Sequence, residues 1–149
     1  MRRLHLLIAI VPALLLAACT VKVERGPSAS PGPPSEGERI VQAQVDAFNR
    51  HDVDAFMAGY APDAIHWSYP ADTTFNGAAR IRAHYTELFS DPDASRLHAT
   101  VRKRMVQGPY VIDEEYIVGL PADDPHVSVI IYEVRGGMIR NVWFIEAVS

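Results

Sequence analysis

The sequence predicts an α+β domain in which an antiparallel sheet packs on three N-terminal helices. Three patterns carry that expectation. Residues 97–118, LHATVRKRMVQGPYVIDEEYIV, alternate apolar and polar and break at Gln107-Gly108-Pro109, as an antiparallel hairpin with one buried face does. Residues 127–148 form a second strand pair around Gly136-Gly137, which suits a two-residue primed turn. Ahead of both hairpins, apolar residues recur at helical spacing as far as Phe89.

The N-terminus is read as an address. Met1-Arg2-Arg3 precedes an apolar run over residues 4–16 that contains Pro12, the layout of a secretory signal. The run is shorter than the roughly 20 residues of a membrane span. Leu16-Ala17-Ala18-Cys19 resembles the bacterial lipobox, in which cleavage precedes a cysteine that then carries lipid. An ordinary signal peptide or an uncleaved anchor with a chance cysteine is the alternative. The resemblance implies a bacterial cell-envelope protein held to the membrane through lipid on Cys19. It would sit on the periplasmic side of an outer membrane or the outer face of a cell membrane. Thr20, where an Asp would favour inner-membrane retention, points to the outer membrane. The expected boundaries are 1–18 for the signal, 19–35 for Cys19 and a Pro/Ser/Gly-rich tether, and 36–149 for the folded domain.

Within that domain, Ser35 and Glu38 fit a capping box. Val41, Val45 and Phe48, with Ile40 and Gln44 beside them, give the apolar stripe of a first helix ending near Asn49. Asp52 caps a short second helix, which turns Phe56, Met57 and Tyr60 inward before Pro62-Asp63 stops it. A strand is expected over residues 64–69, with His66 and Ser68 on one side and Ile65, Trp67 and Tyr69 on the other. A loop to Asn76-Gly77 leads to a third helix with Ile81, Tyr85, Leu88 and Phe89 as its stripe, closed by Asp91-Pro92-Asp93. Then come the two hairpins.

A four-residue loop in the first hairpin sets Val106 opposite Val111, Arg104 opposite Asp113 and Arg102 opposite Glu115. Opposite charges across strands stabilise a register by roughly 0.2–1 kcal/mol each. On this reading His98, Thr100, Arg102, Arg104, Asp113 and Glu115 share a face. That face either lines a cavity or is a solvated, salt-bridged exterior. In the second hairpin the tight turn pairs Glu133 with Arg140, Tyr132 with Asn141 and Ile130 with Trp143. Both of its faces are apolar, so two covers are needed: helices for one, and a second protomer, hence a homodimer, for the other.

Residues 38–149 hold 10 Lys/Arg and 16 Asp/Glu, a net charge near −6 that gives no broad attraction for nucleic acid. Cys19 is the only cysteine, so neither a disulfide nor a thiolate metal site is available. The six histidines show no HxxxH or His-x-His spacing, and no metal is expected. No Gly-rich phosphate loop and no Gly-x-Ser-x-Gly elbow occur, and no cofactor is implied.

The order of elements, with YAPDAIHWSYP, GAARIRAHY and YEVRGGMIRNVWFI, resembles SnoaL-like members of the nuclear-transport-factor-2-like superfamily over nearly all of residues 36–149. The resemblance implies a cone: a curved sheet around the first helix, with a pocket between sheet and helices. It implies activities such as isomerase, cyclase or dehydratase, or no chemistry at all. The ketosteroid isomerase roles fall near Gln44, Ser68 and Ile130, residues that cannot perform them. Similar SnoaL-like proteins carry His, Arg, Asp and Glu at positions matching His98, Arg104, Asp113 and Glu115, while Glu114 stands where they often have His. The candidate catalytic residues are therefore His98, Asp113, Glu115 and His66. Arg104, Ser68, Tyr85, Tyr132 and Trp143 are expected around a small, mostly apolar ligand. For His66 a hydrogen-bonded core role is an equal alternative. For Tyr132 and Trp143 plain packing is the alternative. His84 is expected at the surface, and His51 and His126 in loops. The contrasting function is a non-enzymatic envelope module that docks or dimerises through its sheet.

Overall fold

The computed structural model describes residues 32–69, 73–120 and 125–146. The signal segment, Cys19 and most of the tether lie outside the described residues. Three helices come from the N-terminal half: α1 (Glu36–Asn49), α2 (Val53–Met57) and α3 (Ala78–Ser90). Six strands form one sheet: β1 (Tyr60–Tyr69), β2 (Thr73–Asn76), β3 (His98–Gln107), β4 (Tyr110–Val118), β5 (His126–Arg135) and β6 (Met138–Glu146). Their order across the sheet is β2-β1-β6-β5-β4-β3.

The helix boundaries follow the local chemistry. The Ser35 hydroxyl accepts from the Glu38 amide at 3.2 Å, and the Glu38 carboxylate accepts from the Ser35 amide at 2.7 Å, so the capping box is complete. Asp52 caps α2 by accepting from the Ala55 amide at 3.0 Å. α1 buries Val41, Gln44, Val45 and Ala47. The core joins these to Phe56 of α2, to Ile81 and Tyr85 of α3, and to Val111, Ile130, Tyr132, Ile139 and Val142 from the sheet.

The sheet departs from the sequence reading in three ways. It is mixed, because β1 runs parallel to β6. β2, expected as loop, pairs antiparallel with β1. β1 also starts at Tyr60 rather than Ala64. Pro62 does not end it, because the pairing with β6 jumps from Tyr60 to Ile65 and asks no ladder hydrogen bond of the residues between.

Both hairpins carry a bulge that the alternating pattern hides. In the first, Arg104 pairs with Asp113 as expected, but Lys103 pairs with Glu114 and Val101 with Glu115, leaving Arg102 as the extra residue. In the second, Val134 pairs with Ile139, but Glu133 then pairs with Asn141, leaving Arg140 as the extra residue. Each extra residue reverses the facing of everything beyond it. Ala99 is therefore buried with Asp113 and Glu115, while His98 and Thr100 are exposed. Likewise Val142 is buried in the same core as Ile130 and Tyr132, and Trp143 pairs with Ile131 on the outer side. Both bulged arginines find outside partners. Arg102 lies 4.1 Å over the Tyr116 ring, and Arg140 donates to Asp63 at 2.9 Å.

Gly119, just past β4, has φ +85°, and a Cβ there would lie 2.6 Å from the Arg96 carbonyl carbon. Only glycine allows the chain to turn this close to the segment that enters β3.

Candidate functional site

The sheet's inner face and the helices enclose a cavity of about 250 Å³. α1 supplies Gln44, Val45 and Phe48; β1 supplies His66 and Ser68; α3 supplies His84, Tyr85 and Leu88; the later strands add Glu115, Ile117, Ser128, Ile130, Tyr132 and Phe144. Alternation along β1 points His66 and Ser68 inward, and the bulge at Arg102 leaves Glu115 facing the same hollow.

Two polar chains run through this apolar shell. The first is Tyr60–His66, with Gln44 beside Tyr60. His66 is 1% exposed, and its Nε2 lies 3.2 Å from the Tyr60 hydroxyl. Burial, with His84 nearby, pushes the His66 pKa down to about 3, so the ring is neutral. A neutral ring can accept at Nε2 from the Tyr60 O–H. Burial raises the Tyr60 pKa well above the ordinary phenol value, Tyr85 and Glu115 add to the rise, and Gln44 opposes it.

The second chain is Arg104–Asp113–Glu115–Tyr132. Asp113 is fully buried and accepts a fork from Arg104: Nε to Oδ1 at 2.8 Å and a terminal nitrogen to Oδ2 at 2.6 Å. The other Arg104 terminal nitrogen donates to Gln42 on α1 at 3.0 Å. Removing Arg104 would leave the Asp113 carboxylate buried and unpaired, which costs roughly 3–5 kcal/mol. Two residues along β4, Glu115 is 3% exposed and accepts from the Tyr132 hydroxyl at 3.0 Å. Burial raises its pKa to about 7; Asp113 adds to the rise, while the Tyr132 bond and Arg104 oppose it.

The expected site is thus divided. Glu115, His66, Ser68, Tyr85 and Tyr132 all line the cavity. Asp113 and Arg104 stand behind Glu115 as a pair that sets its surroundings. His98 is exposed, so the expected shared face of His98 with Asp113 is not formed; the Arg102 bulge turns it outward. Trp143 faces the other side of the sheet, near the Tyr110 ring, and is no part of the cavity wall. Gln44, Ser68 and Ile130, matched to the isomerase roles, do meet in one cavity, with different chemistry.

Two histidines that the pattern set away from the site line the cavity. His126 begins β5 rather than lying in a loop, and it lines the cavity. His84, though exposed, stacks on Phe75 at 4.7 Å at the cavity's edge, and partial burial lowers its pKa. Ser128 had a readable signal: it is the polar residue in step with Ile130 and Tyr132 on an otherwise apolar strand. Its hydroxyl donates to the Ile145 carbonyl at 3.3 Å.

The fold is shared with solved structures. A cystatin-fold protein from Novosphingobium aromaticivorans is 24% identical, with TM-score 0.68 over 76% of this chain and 99% of its own. An NTF-2-like protein from Burkholderia xenovorans is 22% identical, with TM-score 0.62 over 76% of this chain and 86% of its own. An LEH-like epoxide hydrolase of M. tuberculosis is 17% identical, with TM-score 0.62 over 75% of this chain and 83% of its own. No curated protein matches the chain. The model of the SnoaL-like domain matches residues 41–142, from within α1 to within β6, and the chain belongs to that family.

Proposed function

We propose that the domain moves protons on a small, mostly apolar molecule held in the cavity, as an isomerase, cyclase or dehydratase does, with Glu115 as the group that carries the proton. The observation behind this reading is the Glu115 carboxyl, set in an apolar wall with a pKa of about 7. Such a group is part base and part acid at neutral pH, which general acid–base catalysis requires. As carboxylate it takes a proton from a C–H beside a carbonyl; the C–H pair becomes a C=C bond and the carbonyl π pair moves onto oxygen, giving an enolate. Returned to another carbon, the proton completes an isomerisation; given to a departing hydroxyl, it completes a dehydration. Neutral His66 is too weak a base for the first step.

The test needs no natural substrate. The ketone 2-tetralone exchanges its acidic C–H hydrogens in D₂O, and proton NMR follows the loss. The protein should accelerate this exchange, with a rate that rises through a midpoint near pH 7. Exchange no faster than in buffer would remove the enzymatic reading.

The same proposal places the domain outside the cytoplasm, anchored by lipid on Cys19. The lipobox-like Leu16-Ala17-Ala18-Cys19 supports that location. In a bacterial host, Cys19→Ser should move the protein out of the membrane fraction; unchanged membrane retention would end the lipid reading.

The outer sheet face supports the pairing of two copies. Val127 and Val129 are 40% and 38% exposed there, beside half-buried Ile112, Ile131, Trp143 and Ile145. Sedimentation should show a dimer that Val129→Glu dissociates, whereas a monomeric wild type would leave that face without its proposed partner.

A further inference from the structure

The two oxygens of Glu115 are not equivalent. Oε1 accepts from the Tyr132 hydroxyl at 3.0 Å, and both residues are buried. Among the described residues no group bonds Oε2. Nor is Oε2 one of the buried side-chain polar atoms left without a partner, a set that holds Gln44 Oε1 alone among those residues. Oε2 is therefore open to the cavity that Glu115 lines.

The Tyr132 bond has to serve Glu115 in both charge states. The carboxylate accepts at Oε1. A proton placed on that same oxygen would compete with the phenol O–H, whose only bond among the described residues is this one. A proton placed on Oε2 leaves Oε1 as the carbonyl oxygen of the acid, which still accepts from Tyr132. The arrangement thus persists only when the proton comes and goes at Oε2.

We propose that Tyr132 is a positioning residue for proton transfer: by holding Glu115 Oε1 it leaves Oε2 to take the proton from the ligand and to return it. The proposal rests on Glu115 as the proton carrier, as above, and names the residue that aims it. The hydroxyl also favours carboxylate over acid, because a donated O–H stabilises the negative charge. Other groups act on the same balance. Asp113, on the same strand, pushes the Glu115 pKa up, and Arg104 of β3 pulls it down. Tyr60 of β1 and Tyr85 of α3 also face Glu115, and burial raises both phenols' pKa values, so they stay neutral. His66, His84 and His126 share the cavity wall.

Two readouts on the full-length chain test the proposal. One is the pH dependence of 2-tetralone exchange. The other is the ¹³C resonance of the Glu115 carboxyl, assigned by its loss in Glu115→Gln. In Tyr132→Phe, which keeps the ring, both midpoints should rise by about one pH unit or more. The exchange rate above the midpoint should fall about tenfold, because the carboxyl is no longer aimed. In Asp113→Asn both midpoints should fall, because a neighbouring negative charge is gone. A merely loosened pocket would move the two variants in the same direction, and that result would count against the proposal. Wild type should also show a slowly exchanging Tyr132 hydroxyl proton whose resonance follows the Glu115 titration, a measurement that needs no variant to fold. An unchanged midpoint and rate in Tyr132→Phe, or a hydroxyl proton blind to that titration, would overturn the assignment to Tyr132. A wild type that fails to exchange 2-tetralone, although its Glu115 carbon shifts as expected in both variants, would instead remove the proton-transfer reading and leave Tyr132 a structural partner alone.

Discussion

Glu115→Gln should abolish the acceleration of 2-tetralone exchange and at the same time make the protein more stable above pH 7. The loss of rate is expected at roughly 10²–10⁴-fold, the usual contribution of a positioned acid–base group. The amide keeps an oxygen to accept from Tyr132, so the cavity's shape should persist. The gain in stability follows from linkage. In the folded protein the Glu115 pKa is raised from 4.5 to about 7. Between those values the folded state holds a proton that the unfolded state has released. Stability is therefore fully present below pH 4.5 and is lost as pH rises to 7, by ~3 kcal/mol in all. The Gln variant has no such loss. Urea unfolding at pH 5 and pH 8 measures it: the variant's advantage should be larger at pH 8. A variant that retains exchange activity, or that loses stability at pH 8, would show that Glu115 is not the buried titrating acid.

The His66→Gln variant should lose the acid sensitivity of the fold. Here the sign is opposite. The folded pKa of His66 is lowered from 6.5 to about 3. The stability it contributes is present above pH 6.5 and is lost as pH falls toward 3, by ~5 kcal/mol in all. His84, whose pKa is also lowered, acts in the same direction. Between pH 4.5 and 6.5 the two buried residues nearly cancel, because unfolding there lets His66 gain a proton and Glu115 lose one. Wild-type stability should thus be nearly flat from pH 6.5 to 4.5 and fall steeply below. His66→Gln, which can still accept from Tyr60, should instead gain stability as pH drops from 7 to 4.5. A steep loss below pH 4.5 of equal size in both proteins would mean that His66 is not the acid trigger.

The two effects explain how such a cavity is tolerated. A buried carboxyl and a buried imidazole each impose a pH-dependent penalty, and their opposite signs leave a working range where neither dominates. The Arg104–Asp113 fork keeps a second carboxylate from adding an unbalanced charge beside Glu115.

Much of this architecture is legible in the linear chain. Ser35 with Glu38, and Asp52 before α2, announce the helix starts because caps are local chemistry within three residues. The stripes Val41–Val45 and Ile81–Tyr85 mark the buried helix faces because helical period needs no distant partner. Alternation along β1 turned His66 and Ser68 inward, and the hairpin turns placed Arg104 against Asp113. What only tertiary structure decided was parity and company. A bulge is an extra residue measured against a partner strand, so one strand alone carries no sign of it. Arg102 and Arg140 read as ordinary strand positions opposite Glu115 and Glu133, yet as extra residues they turn His98 and Trp143 outward and bring Ala99 and Val142 inside. Partnership has the same character: the Tyr132–Glu115 bond joins β5 to β4 and the Asn49–Ala99 bonds join α1 to β3, links between residues far apart in the chain that no local pattern announces.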